Sequence, residues 1–342
     1  MSAVSRRLAR GLGYALLSLL VLLAIAITFT VGWRPIFGPS KRAATDRKFE
    51  ATPARQQRGE YLVEHVSLCF GCHTRFNAKG RDVAEFVAPK GSGQVMVEQG
   101  DFRVVASNIT PDAASGIGNW SDDELARAIR EGIGRDGRAL FPMMPYDSFR
   151  KISDEDLASI IVYLRSQPAA NNHLSPTKVP FPVSRLINSA PRPVHGTVSA
   201  PNPADAVAYG NYLVNTVAHC GGCHTPRDNH GQPLPKMELA GGNAFTESGV
   251  PVVSANITPD PSGISYYDEA TFLQVMRTGH VRGRKLNAMM PWWAYKGMTD
   301  ADLKAVYAYL RTVPPVRHRI DNTEPPTLCK IDGQKHGLGD AN

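Results

Sequence analysis

The chain has 342 residues, a length that supports two domains with separate hydrophobic cores. Its formal net charge is +7, but residues 1–50 hold eight of the 38 basic residues and only two of the 31 acidic ones. Because the rest of the chain is close to neutral, the charge gives no support for nucleic-acid binding, and we exclude that class of function.

The first feature along the chain is an uncharged apolar stretch over residues 12–31, preceded by three arginines at positions 6–10. It has about the length that a membrane-spanning helix needs. A cleaved signal peptide is the alternative, but its apolar region is usually only about 7–15 residues and ends at a small-residue cleavage site, for which we find no well-placed match. The pattern favours an uncleaved membrane anchor over residues 1–33, followed by a tether over residues 34–54.

A C-x-x-C-H motif follows the tether at Cys69-Phe70-Gly71-Cys72-His73, and it recurs at Cys220-Gly221-Gly222-Cys223-His224. Two thiols at this spacing lie on one turn of backbone, where they can form thioethers to one porphyrin, and the next residue can bind the iron. A redox dithiol or a zinc site with four thiolates gives no reason for a histidine after each pair. The motifs predict two covalently bound haem c groups, attached at Cys69, Cys72, Cys220 and Cys223, with His73 and His224 as axial ligands of the iron.

The chain repeats itself in the same order at offsets of 146 to 151 residues. The matching segments are Tyr61-Leu62-Val63 with Tyr212-Leu213-Val214, Asn108-Ile109-Thr110-Pro111-Asp112 with Asn256-Ile257-Thr258-Pro259-Asp260, and Met144-Pro145 with Met290-Pro291. A fixed period with one C-x-x-C-H motif per copy indicates a tandem duplication of one domain. We predict a first domain over residues 55–167, a Pro-rich linker over 168–204, a second domain over 205–318 and a C-terminal tail over 319–342.

Hydrophobic periodicity and capping residues predict an all-α fold with three helices in each domain. The first helix covers about 55–68 or 205–219, the middle helix begins at Ser121 or near Asp268, and the last helix begins at Ser153 or Thr299. Apolar pieces at residues 95–97, 102–105 and 250–253 have weak strand character, and we expect them to be loop edges.

The second axial ligand of each iron matters for function, because methionine favours electron transfer and an open position favours catalysis. Each copy carries two methionines before a proline, in the loop between the middle and last helices. Met144 and Met290, directly before the proline, are the predicted ligands, with Met143 and Met289 as the fallback. Core packing is the more usual role of methionine, but the recurrence in both copies argues against it here.

Four further residues are weaker candidates, for contacts with the haem propionates. Asn108 and Asn256 begin the two N-I-T-P-D segments, whose composition an ordinary turn explains equally well. Arg138 and Arg284 lie in matching loops before the methionines, and solvated arginine is the alternative for both.

Cys329 is the cysteine left over, and it lies in the Pro-rich tail. A free surface thiol is the simpler interpretation. An intermolecular or tail-tethering disulfide is the alternative.

These motifs resemble a known family. C-x-x-C-H, N-I-T-P-D, a D-G-R-x-L-F-P-x-M-P-Y loop and a closing D-L-x-x-x-x-x-Y-L-R helix are similar to the tandem class I cytochrome c domains of membrane-anchored cytochrome subunits. Such subunits serve periplasmic alcohol, gluconate and aldehyde dehydrogenases. The resemblance covers about residues 55–315 and implies a three-helix core per domain, His/Met ligation and electron transfer from a partner dehydrogenase.

The chain departs from this family in two respects. The best-known subunits of this kind carry three haems, whereas this chain has two haem motifs, which leaves the particular partner open. In related domains a proline carbonyl near the motif orients the axial histidine. Arg75 takes the place of Pro226 in the first copy. The resemblance therefore predicts a less secure orientation for His73 than for His224.

The expected function is that of an electron carrier, not an enzyme. Two haems would pass electrons from a dehydrogenase subunit to a quinone, cytochrome or oxidase acceptor. A dihaem enzyme of the peroxidase type, with one open haem site, is the alternative, and the second Met-Pro loop argues against it. Haem is attached on the outer side of the bacterial inner membrane, so we expect a single-pass inner-membrane protein with its haem domains in the periplasm.

Overall fold

The computed structural model describes residues 3–77, 85–228, 231–247 and 250–342. Small parts of the predicted anchor and of both predicted domains (residues 1–2, 78–84, 229–230 and 248–249) lie outside the described residues. The chain starts with the helix Ala3–Phe29. Its stretch Arg10–Phe29 has a mean hydropathy of 2.5 and no buried residues, and within the described part of the chain it is the one helix long and apolar enough to cross a membrane.

The first domain is built around the three predicted helices. They are Pro53–Tyr61, Asp122–Glu131 and Asp154–Arg165, with short helices at Cys69–His73 and Tyr146–Phe149. The predicted capping box is present, because the Ser121 side chain accepts a hydrogen bond from the Glu124 backbone and the Glu124 carboxylate accepts one from the Ser121 backbone. Ser153 caps the last helix through its side chain.

The second domain repeats this arrangement. Its helices are Ala206–Tyr212, Glu269–Thr278 and Asp300–Leu310, with short helices at Gly221–His224 and Trp292–Tyr295. Asp268 and Thr299 provide the N-caps. In both domains the first helix ends earlier than predicted and continues as one π-helical turn, at Leu62–Val66 and Leu213–Val217. The apolar pattern of these residues did not indicate the change, because one π-helical turn buries nearly the same face as one α-helical turn.

A glycine in each first helix lets it cross the last helix of its domain at very short distance. A Cβ added to Gly59 would lie 2.0 Å from the Ser159 carbonyl oxygen, and one added to Gly210 would lie 2.0 Å from that of Ala305. Real Cβ atoms never approach a backbone oxygen so closely, so the crossing requires glycine at both positions. The helix pair and the apolar side chains around it form the core of each domain.

Small antiparallel hairpins accompany the helices, so the expectation of loop edges was wrong for all three apolar pieces. Strand Gln94–Gln99 pairs with Phe102–Ala106, and Ala244–Glu247 pairs with Val250–Val253. The further pairs are Phe76–Asn77 with Glu85–Phe86, His280–Val281 with Arg284–Lys285, and Pro326–Leu328 with Lys335–Gly337. Each described sheet has two strands, so the fold is mostly helical rather than purely α.

The two domains contact each other through a reciprocal pair of hydrogen bonds. The Tyr61 hydroxyl of the first domain donates to Asp302 Oδ2 at 2.6 Å, and the Tyr212 hydroxyl of the second donates to Asp156 Oδ2 at 2.7 Å. These are equivalent residues of the repeat. The duplication therefore produces an interface with approximate twofold symmetry, in which each domain uses the same surface.

The predicted tether and linker lie against the first domain. Arg42 contacts the carboxylates of Asp123 and Glu131, each at 2.7 Å, so the chain before the domain is docked on the middle helix. In the linker, Lys178 and Arg103 exchange backbone hydrogen bonds of 2.8 and 2.9 Å. The short helix Arg34–Phe37 of the tether contacts the short helix Val183–Leu186 of the linker. It also contacts the 3-10 turn Ile187–Ser189, which follows that helix.

The C-terminal tail contains a hairpin and a last 3-10 turn at Gly339–Ala341, and its Asn322 side chain bonds the backbone of Val253 in the second domain. Cys329 in this tail is completely buried, so the expectation of a free surface thiol was wrong. It also forms no disulfide with another cysteine of the described residues. Its surroundings include the side chain of His318.

Candidate haem sites

Each C-x-x-C-H motif forms a single helical turn after a residue with a left-handed backbone. Leu68 and His219 have φ of 53° and 52°, and they turn the chain from the π-helical segment into the motif. The first cysteine of each pair is half-buried and the second is exposed. Burial raises the pKa of Cys69 and of Cys220 to about 12, which keeps both thiols protonated before they react.

A backbone carbonyl orients the histidine of each motif. His73 Nδ1 lies 2.6 Å from the Ser107 carbonyl oxygen, and His224 Nδ1 lies 2.7 Å from that of Ala255. A carbonyl can only accept, so Nδ1 carries the proton and Nε2 has the free lone pair that an iron ligand needs. Burial also lowers the pKa of both histidines, which favours the neutral, ligating form. The residues present therefore fit a haem iron in both domains.

These carbonyls correct the expectation that Arg75 weakens the first site relative to the second. The Pro226 carbonyl accepts a hydrogen bond from the Leu234 backbone at 2.9 Å, and the orienting carbonyl comes from the residue before each N-I-T-P-D segment. The two histidines are oriented in the same way. Sequence reasoning missed Ser107 and Ala255 because a backbone carbonyl leaves no mark on residue type.

The carbonyl groups of the motif itself are also held by matching donors. Gly93 donates to the His73 carbonyl and Gly241 to the His224 carbonyl, both at 2.7 Å. The side chains of Gln94 and Asn243 donate to the carbonyls of Cys72 and Cys223 at 2.9 and 2.7 Å. Each motif is therefore fixed from outside its own helical turn.

The methionine loops separate the two methionines of each pair. Met143 and Met289 are 45 % and 38 % exposed, whereas Met144 and Met290 are partly buried and packed against the core. The backbones of Met144 and Met290 are held by hydrogen bonds on both sides, to Phe141 and Tyr146 and to Asn287 and Trp292. The residues directly before proline are thus the ones turned inward.

The two asparagines are turn residues, which is the alternative to propionate contacts that the sequence left open. Asn108 Oδ1 accepts from the Thr110 backbone at 2.9 Å, and its Nδ2 donates to Ser115 and to the Ala170 carbonyl. Asn256 has the same contacts in the second domain. Both hydrogens of each amide are used inside the protein, so none is left for an external acceptor.

The two arginines of the weaker predictions differ in their surroundings. Arg138 pairs with Asp136, with 3.0 Å between Nε and Oδ2, and is half exposed. Arg284 lies in the exposed strand Arg284–Lys285. Neither is buried near its motif, so a role toward propionates stays a prediction.

The two sites lie at the interface between the domains. Burial and then the thiol of Cys72, in the other motif, raise the pKa of Cys223. The two π-helical turns contact each other. His219 Nδ1 bonds the Ser148 hydroxyl at 2.6 Å, and Phe86 meets Trp293 edge-on, with ring centroids 6.4 Å apart.

A repeated helical domain with one C-x-x-C-H turn and one oriented imidazole per copy defines the class of c-type cytochromes. Family comparisons agree with this class. The model "Cytochrome c" matches residues 207–314, and the model "Cytochrome C oxidase, cbb3-type, subunit III" matches residues 54–164.

Relatives carry the assignment over most of the chain. The chain is 30 % identical to a "Diheme cytochrome c-type" protein of Cereibacter sphaeroides over 78 % of this chain and 89 % of that one. It is 32 % identical to the "Fructose dehydrogenase cytochrome subunit" of Gluconobacter japonicus over 78 % of this chain and 55 % of that one. It is 30 % identical to the "Alcohol dehydrogenase (quinone), cytochrome c subunit" of Gluconobacter oxydans over 84 % of this chain and 60 % of that one.

The chain belongs to the c-type cytochrome family, as a member with two cytochrome c domains. The predicted resemblance to dehydrogenase cytochrome subunits is thereby confirmed. The chain spans only 55–60 % of the length of the two dehydrogenase subunits named above.

Proposed function

We propose that this protein is a membrane-anchored dihaem cytochrome c that carries electrons from a partner dehydrogenase to a quinone, cytochrome or oxidase acceptor. It has two tandem class I domains, over residues 55–167 and 205–318, joined by the linker 168–204. The observation that carries the proposal is that both domains present the same set of groups. Each has an imidazole with a free Nε2 and an inward methionine before a proline.

The cysteines Cys69, Cys72, Cys220 and Cys223 hold the two haems, and the axial ligands are His73 with Met144 and His224 with Met290. Haem supplies the one-electron chemistry, and a methionine thioether as the second ligand favours electron transfer over substrate binding. The exposure difference within each methionine pair supports Met144 and Met290 over their neighbours. Two axial ligands on each iron leave no coordination position free for a substrate. The protein is therefore an electron-transfer subunit and not an enzyme.

The position of the two motifs supports transfer between them. The π-helical turns that lead into the two motifs contact each other across the domain interface. The reciprocal Tyr–Asp hydrogen bonds hold the two domains together, which suits electron transfer between haems bound at their interface.

The partner and the location rest on the relatives and on the apolar N-terminus. Relatives are named as cytochrome subunits of fructose, alcohol and gluconate dehydrogenases, so the electron donor is a periplasmic dehydrogenase subunit of this kind. The helix Arg10–Phe29 anchors the protein in the inner membrane. Exposed Phe37 and Phe181, on the tether and on the linker that it contacts, suit a surface that faces the bilayer.

Spectroscopy of the ligand variants tests the carrier function. The purified protein should give low-spin ferric EPR signals for both haems and no peroxide turnover. Met144→Ala and Met290→Ala should each convert one haem to a high-spin or weakly ligated form, whereas Met143→Ala and Met289→Ala should leave both spectra unchanged. A high-spin haem in the unmodified protein, or peroxide turnover, would contradict the proposal and favour the dihaem enzyme.

Co-purification tests the partner. Gentle detergent extraction of the full chain should retain a dehydrogenase subunit, and adding that dehydrogenase with its substrate should reduce both haems. Reduction of the haems by quinol alone, with no dehydrogenase recovered, would contradict the proposed direction of electron flow.

A further inference from the structure

Four side chains with metal-binding atoms meet in the C-terminal part of the chain, away from the haem motifs in sequence. They are His318, Cys329, Asp332 and His336, and one ligand atom from each lies within 4.8 Å of the others. The side chains of His318, Asp332 and His336 are 0 % exposed, and so is Cys329. Such a group of titratable side chains is rarely buried without a shared partner.

The distances within this cluster fit tetrahedral coordination. His318 Nε2 lies 3.6 Å from Cys329 Sγ and 3.3 Å from Asp332 Oδ2, and His336 Nε2 lies 3.6 Å from the same oxygen. Zinc with bonds of about 2.0–2.1 Å to nitrogen and oxygen and about 2.3 Å to sulfur places tetrahedral ligands about 3.3–3.6 Å apart. These three separations are therefore the ones that one small cation would impose.

Both histidines present a free lone pair to the centre of the cluster. His318 Nδ1 bonds the Ala240 carbonyl at 2.9 Å, and His336 Nδ1 is 3.1 Å from the Gly337 carbonyl. These carbonyls fix the proton on Nδ1, so each Nε2 faces Asp332 without a hydrogen to donate. Carbonyl contacts of this kind are the usual outer support of a metal-bound histidine.

Two of the inward-facing atoms have no hydrogen-bond partner. Asp332 Oδ2 and His336 Nε2 are buried and unsatisfied, while Asp332 Oδ1 accepts from the Gln334 backbone at 2.9 Å. A purely hydrogen-bonded His–Asp–His group would be expected at about 2.7–2.9 Å, shorter than the separations here. A buried carboxylate oxygen without a partner is costly, and a cation bound between the four groups removes that cost.

We propose that His318, Cys329, Asp332 and His336 bind one Zn²⁺ ion in a closed structural site. Two imidazoles, one thiolate and one carboxylate form a ligand set suited to zinc, and the thiolate disfavours calcium and magnesium. Four protein ligands with no exposed side chain leave no open position for a substrate or water, so the site is structural rather than catalytic. The proposal does not depend on the carrier function proposed above.

The zinc would fasten the tail to the second haem domain. His318 comes from the chain that follows the last helix, whereas the other three ligands come from the hairpin region at 329–336. The Ala240 carbonyl that supports His318 precedes Gly241, whose backbone donates to the His224 carbonyl. A metal in the cluster therefore stabilises, through two residues of backbone, the loop that fixes the second haem motif.

The direct test is metal analysis of the full-length protein with both haems attached, purified without chelators from zinc-supplied cells. We expect one zinc per chain beside two haem irons, with X-ray absorption showing one sulfur and three nitrogen or oxygen ligands. Cobalt, exchanged for zinc, should give the absorption bands of a tetrahedral thiolate complex. Protein without zinc that also fails to bind cobalt overturns the proposal, as does copper at the site or zinc without a sulfur ligand.

Matched variants assign the metal to these residues. His318→Asn removes one ligand but keeps a donor for the Ala240 carbonyl, as the equivalent Asn172 does for Ser92 in the first domain. We expect His318→Asn and Cys329→Ser to lower zinc content at least tenfold, to keep two irons per chain, and to expose the tail to limited proteolysis. Unchanged zinc content in both variants would overturn the assignment. If a variant fails to fold, cobalt binding to the unmodified protein still decides.

Discussion

In both haem domains, the chain that follows the last helix is held by the same set of hydrogen bonds, but a different residue makes them in each domain. Asn172 and His318 are equivalent, and the backbone of each donates to a serine hydroxyl at 2.9 Å, Ser115 or Ser262. Their side chains bond equivalent carbonyls, those of Ser92 and Ala240, at 2.8 and 2.9 Å. The second nitrogen of the histidine is what distinguishes the second domain, because it faces Cys329 and Asp332.

This comparison shows which parts of the duplicated domain are fixed and which are free to diverge. Groups that hold the haem motif are of the same chemical kind in both copies, including the carbonyl that orients each histidine. The residue after the last helix differs between the copies, asparagine in one and histidine in the other, but both residues donate to the equivalent carbonyl. In the second domain the histidine at that position belongs to a cluster of metal-binding side chains, which the first domain does not have among its described residues.

The largest expected effect comes from the helix crossing that both domains share. Gly59→Ala and Gly210→Ala each place a Cβ 2.0 Å from a backbone oxygen of the last helix, so the helices must separate. We expect a loss of about 3 kcal/mol or more in the free energy of unfolding for either variant. Denaturant unfolding and haem yield measure it. Gly283→Ala, where nothing lies within 4 Å, is the control, and equal stability of Gly59→Ala and the control would refute the shared crossing.

The interface hydrogen bonds should show a smaller and unequal effect. Asp156 is bonded by Arg58 at 2.8 Å as well as by Tyr212, so Tyr212→Phe leaves that carboxylate with a partner. Tyr61→Phe removes the partner of Asp302, and we expect it to cost about 2 kcal/mol against about 1 kcal/mol for Tyr212→Phe. Thermal unfolding of the two variants compares them. A larger loss for Tyr212→Phe would reverse the interpretation.

The difference between Asn172 and His318 can be tested by placing histidine in the first domain. Asn172→His should keep a donor for the Ser92 carbonyl and cost no more than about 1 kcal/mol. It should add no zinc to the protein, because Cys329, Asp332 and His336 belong to the tail of the second domain. The zinc content per chain is measured for Asn172→His and His318→Asn and compared with that of the unmodified protein. Extra zinc in Asn172→His would contradict this expectation, because it would mean that a histidine at this position binds zinc without the cysteine, aspartate and second histidine of the tail.

The smallest effect on stability is expected at Pro226, the position that Arg75 occupies in the first copy. Pro226→Ala keeps the carbonyl that accepts from Leu234 and leaves the bond from His224 to Ala255 untouched. We expect a change of less than about 0.5 kcal/mol in stability and no change in the spectrum of the second haem. A shifted spectrum would mean that the proline orients His224 after all.

Several features were readable from residue types because their signals are local. The capping residues Ser121, Ser153 and Thr299 begin helices where expected, since a cap is decided within one turn. Other features were not. Residues 95–97 and 102–105 were expected to be loop edges, but they belong to the two strands of a hairpin, which pair through backbone groups. For Asn108 and Asn256 the sequence left propionate contacts and an ordinary turn open, and only the fold shows that their amides bond inside the protein.

The sequence by itself determined the two haem motifs, the duplication, the apolar N-terminal helix and the family, because each is a pattern within a short stretch or a fixed period. Only the tertiary structure decided what surrounds those motifs. The carbonyl that orients His73 comes from 34 residues away, and the partners of Cys329 come from both directions along the chain. Bonds to backbone atoms and the meeting of distant side chains depend on how the chain folds back on itself, and residue type does not record them.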